Sequence, residues 1–217
     1  MHTDGAEDSV GGYGEATVLF DLDGVLVDSG ASIVGGLTAW AEERGLDVDE
    51  VLRYHAGRTD LGLVRLVAPH LDPETEAHRI QAHEVARAED VTAMPHAREL
   101  LAALDGRGRA WGIVTSGGDL IAHARLEASR LPVPDVLVTA DQVTEGKPDP
   151  APYLLGAERM GVDPGRCVVV EDSPAGVRAG RAAGMPVVAV TATHTVEELA
   201  AATVVVADLR ETAELLV

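Results

Sequence analysis

Hydrophobic residues follow two patterns along this chain, and each pattern predicts one kind of element. Short, continuously apolar runs rich in valine are typical of strands buried on both faces of a sheet. They occur at residues 17–20, 110–116, 135–140, 166–172, 186–190 and 204–208. Apolar residues three and four positions apart predict helices. After residue 95 such segments alternate with the strands, at residues 97–104, 119–129, 152–160, 175–183 and 196–202. This alternation indicates a parallel sheet with helices on both faces.

A block of about sixty residues interrupts that alternation after the first strand. Helices are predicted there at about residues 32–44, 47–67 (with a break near residues 56–57) and 73–89, and no strand is predicted between residues 30 and 94. We therefore expect an α/β protein with a doubly wound, Rossmann-like parallel sheet core at residues 17–29 and 95–217. An all-helical cap domain is inserted at residues 30–94, and residues 1–16 form a flexible leader. Ligands favour the cleft between two such domains.

Composition restricts the partners of this protein. The chain has 36 acidic and 17 basic residues and a net charge of −19, which argues against binding to nucleic acid or to an anionic membrane. The single cysteine, Cys167, excludes an internal disulfide and a cysteine-based zinc cluster. No run reaches the roughly 20 apolar residues of a membrane span, and residues 1–16 lack the features of a secretory signal. These features predict a cytoplasmic protein, and they are compatible with a monomer.

Polar residues that are able to bind a ligand or take part in catalysis follow several of the predicted strands. Asp21-Leu22-Asp23-Gly24, Thr115-Ser116-Gly117 and Glu171-Asp172-Ser173 each stand at a strand end, and Lys147, the only lysine, lies in the loop after a third strand. Each segment alone also fits a structural role, such as a turn, a helix cap or a solvated charge. In parallel sheets, however, the carboxyl ends of the strands share one edge. The combined set suits a hard cation beside a bound anion, as in phosphoryl transfer.

Four segments, in this order, resemble the motifs of the haloacid dehalogenase superfamily, in the branch with a helical cap. They are FDLDGVLVDS, VTSG, GKPDPAPYL and VVVEDSPAGVRAGRAAGM. The resemblance implies that Asp21 is a nucleophile that forms an aspartyl-phosphate. It also implies that Asp23 is first the general acid for the leaving oxygen and then the base that activates water.

The resemblance also implies a magnesium site and a phosphate site. Mg²⁺ would be held by the Asp21 carboxylate, the Asp23 backbone carbonyl and Asp172, with Glu171 binding it directly or supporting a residue that does. Thr115 and the amides of Ser116 and Gly117 would surround the phosphoryl oxygens, and Gly24 is assigned to the same site. Lys147 would neutralise charge on the phosphoryl group and on the nucleophile.

Within that superfamily the chain is most similar to the small sugar-phosphate and glycerol-phosphate phosphatases. The segments HAGRTDLGLVRLVAPHL and VTADQVTEGKPDPAPYLL carry this likeness. It implies that Arg58 reaches from the cap towards the substrate, with His55, Thr59 and Asp60 as candidate neighbours. The alternative for Arg58 is a pairing with a carboxylate of the cap.

Three further residues on or near the cap have different expectations. His83 and Glu84 lie on the last cap helix, and two environments stay open for both: a position that lines the cleft, or a solvated helix face, which the pattern favours. His96 follows Pro95 at the hinge, where such phosphatases often carry glycine.

We therefore expect a Mg²⁺-dependent phosphatase that acts on a small phosphorylated sugar or polyol. Two alternatives stay open at this point. One is a phosphomutase similar to β-phosphoglucomutase, although that family places a histidine twelve residues after the nucleophile, where this chain has Ile33. The other is a catalytically idle protein of the same fold that binds a metabolite.

Overall fold

A central parallel sheet forms the core of the protein. The structure is a computed structural model that describes residues 13–55 and 58–217. Its strands are β1 (Thr17–Phe20), β2 (Val27–Asp28), β3 (Thr92–Ala93), β4 (Trp111–Val114), β5 (Leu137–Val138), β6 (Cys167–Glu171), β7 (Val187–Val190) and β8 (Val204–Val206). The sheet has the order β5-β4-β1-β6-β7-β8, and all neighbouring strands in it are parallel. The short strands β2 and β3 pair separately and antiparallel.

Helices cover both faces of this sheet, as the alternating pattern predicted. The helices of the described residues are α1 (Gly30–Arg44), α2 (Val48–Tyr54), α3 (Asp60–Val67), α4 (Pro73–Val85), α5 (Ala97–Gly106), α6 (Asp119–Ser129), α7 (Ala151–Met160), α8 (Pro174–Ala182) and α9 (Leu209–Leu216). Successive residues of a strand point to opposite faces. Phe20 of β1 therefore packs in one core cluster with α5, α6 and α9, and Leu19 packs in the other with α7 and α8. The predicted fold class is confirmed.

The position of β1 locates the crevice of the sheet. After β1 the chain builds one side of the sheet with β4 and β5, and it then crosses to the other side to build β6, β7 and β8. At such a switch point the loops after neighbouring strands diverge and leave a crevice outside their carboxyl ends. The loops after β1, β4 and β6 therefore surround one depression.

The four helices α1 to α4 form a separate layer with a core of its own. Trp40, Val51, Val64 and Ile80, one from each helix, are buried together in it. The indole of Trp40 donates a hydrogen bond to Glu76 Oε2 over 2.8 Å. The pairing of β2 with β3 joins the two chain segments that connect this layer to the sheet. None of the helices in the described part of the chain is long and apolar enough to span a membrane.

Several local predictions were wrong. Residues 92–93 form β3, in a stretch for which no strand was predicted, because a two-residue ladder leaves no periodic pattern. Residues 196–202 form turns instead of a helix, and α9 was not predicted.

His96 lies in the left-handed region with φ = 68° at the start of α5. Of the predicted leader, residues 1–12 lie outside the described residues, and the Tyr13 amide donates to Leu215 O.

Candidate active site

The four segments singled out in the sequence meet at the carboxyl edge of the sheet. Asp21 and Asp23 follow β1, Ser116 follows β4 and Asp172 follows β6, while Lys147 lies in the loop that leads to α7. These residues line one cavity of about 470 Å³ between the sheet and the helical cap. The cap contributes further lining residues, among them Ile33, His55, Arg58, Asp60, Leu63 and Glu84.

Lys147 is a buried cation of this site. Its Nζ donates to Asp21 Oδ1 and to Glu171 Oε1, both over 2.7 Å, and its side chain is only 2% exposed. Burial alone would lower the pKa of Lys147, but the charges of Asp21 and Glu171 outweigh burial and raise it. The side chain is therefore an ammonium ion at neutral pH.

Asp21 differs from Glu171 although both contact Lys147. Burial raises the pKa of Asp21 to about 7, against the opposing charge of Lys147. Glu171 is fully buried as well, but the charge of Lys147 and the hydrogen bonds that Glu171 accepts outweigh burial and lower its pKa. Asp21 is thus the carboxylate in this pair whose charge is less satisfied by the protein, which favours a role in contact with a ligand.

Glu171 has both of its oxygens occupied by protein donors. Oε1 accepts from Lys147 and from the Tyr153 hydroxyl, and Oε2 accepts from the Asp172 amide and from the amide and hydroxyl of Ser173, all within 3.0 Å. A side chain at Gly176 would overlap the Glu171 carboxylate, so glycine is required for the first turn of α8 to approach it. Glu171 therefore fixes the position of Lys147 and of the loop after β6.

Three carboxylates at this edge can hold a divalent metal ion. Asp21, Glu171 and Asp172 each offer one oxygen, and these atoms lie within 4.8 Å of one another. Such oxygen donors fit a hard cation. Burial, followed by the charges of Glu171 and Asp21, raises the pKa of Asp172 well above its ordinary value. A bound cation would compensate this repulsion. Gly24, with φ = 78°, adjoins Asp172, and a side chain there would overlap its carboxylate.

The loop after β4, which the resemblance assigns to phosphate binding, borders the cavity. Ser116 and Gly117 line the cavity. Thr115 is buried, and its hydroxyl oxygen accepts a hydrogen bond from the Gly117 amide over 3.0 Å. In the structure the Thr115 side chain therefore holds the loop in its turn.

Asp23 is held from two sides by residues that follow it in the chain. Its Oδ1 accepts a 2.6 Å hydrogen bond from the Ser29 hydroxyl, and its Oδ2 accepts a 2.7 Å hydrogen bond from Arg125 Nη1. The other terminal nitrogen of Arg125, Nη2, donates to Glu84 Oε2 over 2.6 Å. Arg125 belongs to α6 in the core and Glu84 to α4 in the cap.

Sequence reasoning missed Arg125 and misplaced Glu84. Glu84 is 4% exposed and lies at the boundary between cap and core, so the favoured solvated environment was wrong, and the alternative position lining the cleft is the one observed. His83 is half-buried, with its Nε2 3.0 Å from Glu43 Oε2. A signal for Arg125 does exist in the sequence. It occupies the apolar face of α6, together with Ile121, Ala122, Leu126 and Ser129. A charged residue on that face needs a buried partner.

The cap residues expected near the substrate occupy two positions. His55 and Arg58 line the main cavity, and the exposed Arg58 donates to Tyr54 O over 2.7 Å. Thr59 instead caps α3, where its hydroxyl accepts from the Gly62 amide over 3.1 Å. Its methyl group lies against Gly146 of the core loop that carries Lys147.

Known proteins are similar to this chain in sequence and fold. A family model for haloacid dehalogenase-like hydrolases matches residues 15–184. Hexitol phosphatase A of Escherichia coli K12 is 45% identical over 177 residues, which cover 80% of this chain and 82% of that protein. Validoxylamine A 7'-phosphate phosphatase of Streptomyces hygroscopicus subsp. limoneus is 36% identical over 206 residues, covering 89% and 93% of the two chains.

A solved structure agrees with these sequence matches. The crystal structure of a hydrolase from Pseudomonas syringae superposes with a TM-score of 0.81 at 26% identity and covers 93% of this chain and 100% of that one. The resemblance inferred from the four motifs is thereby confirmed. This chain belongs to the haloacid dehalogenase-like hydrolase family.

Proposed function

We propose that this phosphoric monoester hydrolase acts on small sugar or polyol phosphates, through an aspartyl-phosphate on Asp21 and with Mg²⁺ as its metal ion. The observation that carries the proposal is the double contact of Lys147, which holds Asp21 beside Asp172 and Glu171 at the sheet edge. A nucleophile, a fixed positive charge and a set of metal ligands then share one cavity.

Asp21 and Asp23 would carry the two chemical steps. In the first, a carboxylate oxygen of Asp21 attacks phosphorus, the bond from phosphorus to the ester oxygen breaks, and Asp23 donates a proton to that oxygen. In the second, water attacks the phosphorus of the aspartyl-phosphate while Asp23 accepts a proton from it. The acyl-phosphate bond then breaks, and Asp21 and inorganic phosphate are released.

The surrounding residues would neutralise charge on the phosphoryl group. Lys147 contacts the nucleophile directly, and the loop of Ser116 and Gly117 faces the same cavity. We assign Asp21, Asp172 and the Asp23 backbone carbonyl as the metal ligands, and we assign Glu171 to support Lys147 because its oxygens already accept hydrogen bonds from protein donors. When bound, Mg²⁺ would stabilise the negative charge of the transferring phosphoryl oxygens.

The cap side of the cavity is compatible with a hydroxyl-rich substrate. Asp60 and Glu84 line this side, and carboxyl groups can accept hydrogen bonds from the hydroxyls of a sugar or polyol. The names of the two relatives, a hexitol phosphatase and a validoxylamine A 7'-phosphate phosphatase, agree with this class. Ile33 lines the cavity at the position where the mutase family places a histidine. Its apolar side chain can neither form the hydrogen bonds nor transfer the protons of that histidine, which disfavours the mutase alternative.

Phosphate release tests this proposal directly. The panel contains glycerol, hexitol, hexose and pentose phosphates together with phosphoglycolate, each measured with Mg²⁺ and with EDTA. We expect metal-dependent release that is fastest on a polyol or sugar phosphate and slow on phosphoglycolate. Asp21→Asn should lower kcat by at least about a thousandfold, because it removes the nucleophile. Asp135→Asn, on an exposed loop, is the matched control and should retain activity.

Each other outcome excludes part of the proposal. Undiminished activity in EDTA would contradict the metal requirement, and an active Asp21→Asn variant would contradict the nucleophile. Conversion of a hexose 1-phosphate to its 6-phosphate without phosphate release would identify a mutase. Binding of a sugar phosphate without either reaction would identify the idle protein.

A further inference from the structure

Arg125 connects the proposed acid–base residue to the cap through one buried guanidinium group. Its Nη1 contacts Asp23 Oδ2 over 2.7 Å and its Nη2 contacts Glu84 Oε2 over 2.6 Å. The three residues come from the loop after β1, from α6 and from α4, so the contacts join the core to the cap. The Arg125 side chain is 3% exposed and that of Glu84 is 6% exposed, and both are therefore shielded from bulk water.

We propose that Arg125 is a positioning residue that orients Asp23 for proton transfer only while Glu84 of the docked cap occupies its other end. The inference rests on the proposed function, because it assigns Arg125 a role through Asp23. A substrate that brings the cap down would then also set the proton donor in place, and both events would depend on the same arginine.

The energetics of a buried arginine provide the coupling. A guanidinium removed from water is stabilised when carboxyl oxygens accept hydrogen bonds from its fork-like donors, and leaving one of those donors buried without an acceptor is costly. If the cap opened, Glu84 would leave, and the Nη2 end of Arg125 would lose its acceptor. Arg125 would then be less restrained, and it would hold Asp23 in a less defined orientation. Thermodynamic coupling is reciprocal, so the Asp23 contact must favour cap closure as much as the Glu84 contact favours the Asp23 orientation.

Neighbouring contacts restrict the guanidinium further. The Nη1 atom of Arg125 lies 3.3 Å from the position that a Cβ on Gly117 would occupy, so this end of the side chain abuts the anion loop. The remaining nitrogen, Nε, is buried and has no hydrogen-bond partner within the described part of the chain. Two charge-assisted contacts, to Asp23 and Glu84, are thus the polar contacts that hold this group.

Leaving-group dependence separates positioning of a proton donor from a general structural role. An alkoxide leaving group, as in glycerol or hexitol phosphate, requires protonation, whereas p-nitrophenolate does not. The measured quantity is kcat/KM, which reports the steps up to transfer of the phosphoryl group to Asp21. Arg125→Met and Glu84→Ala should each lower kcat/KM by about a hundredfold on the alkyl phosphate. On p-nitrophenyl phosphate the loss should stay within about threefold, because that step needs little acid catalysis.

Three comparisons complete the experiment. Glu84→Gln keeps an acceptor oxygen and should recover most of the loss seen with Glu84→Ala. The Arg125→Met/Glu84→Ala double variant should be no worse than Arg125→Met alone, because both changes break one connection. Arg210→Met, at an exposed position of α9, is the control and should change neither substrate. If Arg125→Met fails to fold, the Glu84 pair carries the test, since Glu84 does not contact Asp23.

The outcomes distinguish this inference from the proposed function. A wild-type protein that hydrolyses neither substrate overturns the proposed function and the inference with it. An active wild type whose variants lose kcat/KM equally on both substrates overturns the inference alone, since that result indicates a structural role. Additive losses in the double variant would likewise show that Arg125 and Glu84 act separately.

Discussion

Lys147 is expected to make a large electrostatic contribution to the stability of the metal-free site. Lys147→Met retains most of the side-chain volume but removes the ammonium group that lies 2.7 Å from both Asp21 and Glu171. Those two carboxylates would then be buried without a cation. A metal ion and the Lys147 ammonium group would bind the same carboxylate oxygens. The loss of stability in Lys147→Met should therefore depend on Mg²⁺.

The magnitude follows from the burial of the pair. Removal of one partner from a buried ion pair costs about 3–5 kcal/mol in the free energy of unfolding, which corresponds to roughly 6–20 °C in Tm for a protein of this size. Asp21 can relieve part of the repulsion by binding a proton, because its pKa is already raised to about 7. The loss should therefore be larger at pH 8 than at pH 6.

Urea unfolding in EDTA and in Mg²⁺ measures this prediction. Mg²⁺ should stabilise Lys147→Met more than it stabilises the wild type, since a divalent cation replaces part of the missing positive charge. Arg178→Met, at an exposed position of α8, is the matched control and should change stability by less than about 0.5 kcal/mol. A loss below about 1 kcal/mol for Lys147→Met at pH 8 in EDTA would refute the reasoning from burial.

Two further predictions concern strain and proton binding. His96 has φ = 68°, which costs a non-glycine residue about 1–2 kcal/mol, so His96→Gly should raise the free energy of unfolding by about 0.5–1 kcal/mol after the entropy cost of glycine. His96→Ala should show no such gain in the same urea titration, and a gain in both variants would locate the effect in the side chain. Burial, opposed by Arg125 but reinforced by Asp60 and Asp23, raises the pKa of Glu84 to about 8. Above about pH 5 the folded state therefore keeps a proton on Glu84 that the unfolded state has released. The free energy of unfolding in EDTA should then fall as the pH rises from about 5 to 8.5. Glu84→Gln should flatten that fall, and an unchanged pH profile in the variant would contradict this assignment.

The sequence predicted the core of this protein because the relevant signals are local. A buried parallel strand such as β6 requires a continuous apolar run. Residues 167–170 supply one that leads into Glu171, and all five residues of β6 are buried. Turn and cap residues at the strand ends follow from the same short stretches. The resemblance to the haloacid dehalogenase superfamily rests on four such stretches, and the family match confirms it.

The misplaced elements are those whose conformation depends on distant segments. Residues 196–202 have good helix formers, yet only Leu199 among them is buried. The chain must also bring Thr203 to the sheet edge, where its amide donates to Val187 O over 2.8 Å. Turns bring the chain back to the sheet edge, whereas a seven-residue helix with one buried side chain would gain little stability from packing.

The active-site edge and its buried network have different origins. The sequence by itself determined the order of the elements. It also determined that Asp21, Asp172 and Lys147 lie at one edge of the sheet, because parallel strands align their carboxyl ends. Only the tertiary structure decided that Arg125 contacts Asp23, 102 positions away, and Glu84, 41 positions away. No local pattern encodes such pairs. They arise because a charged group on an apolar helix face must find its partners where the cap and the core pack together.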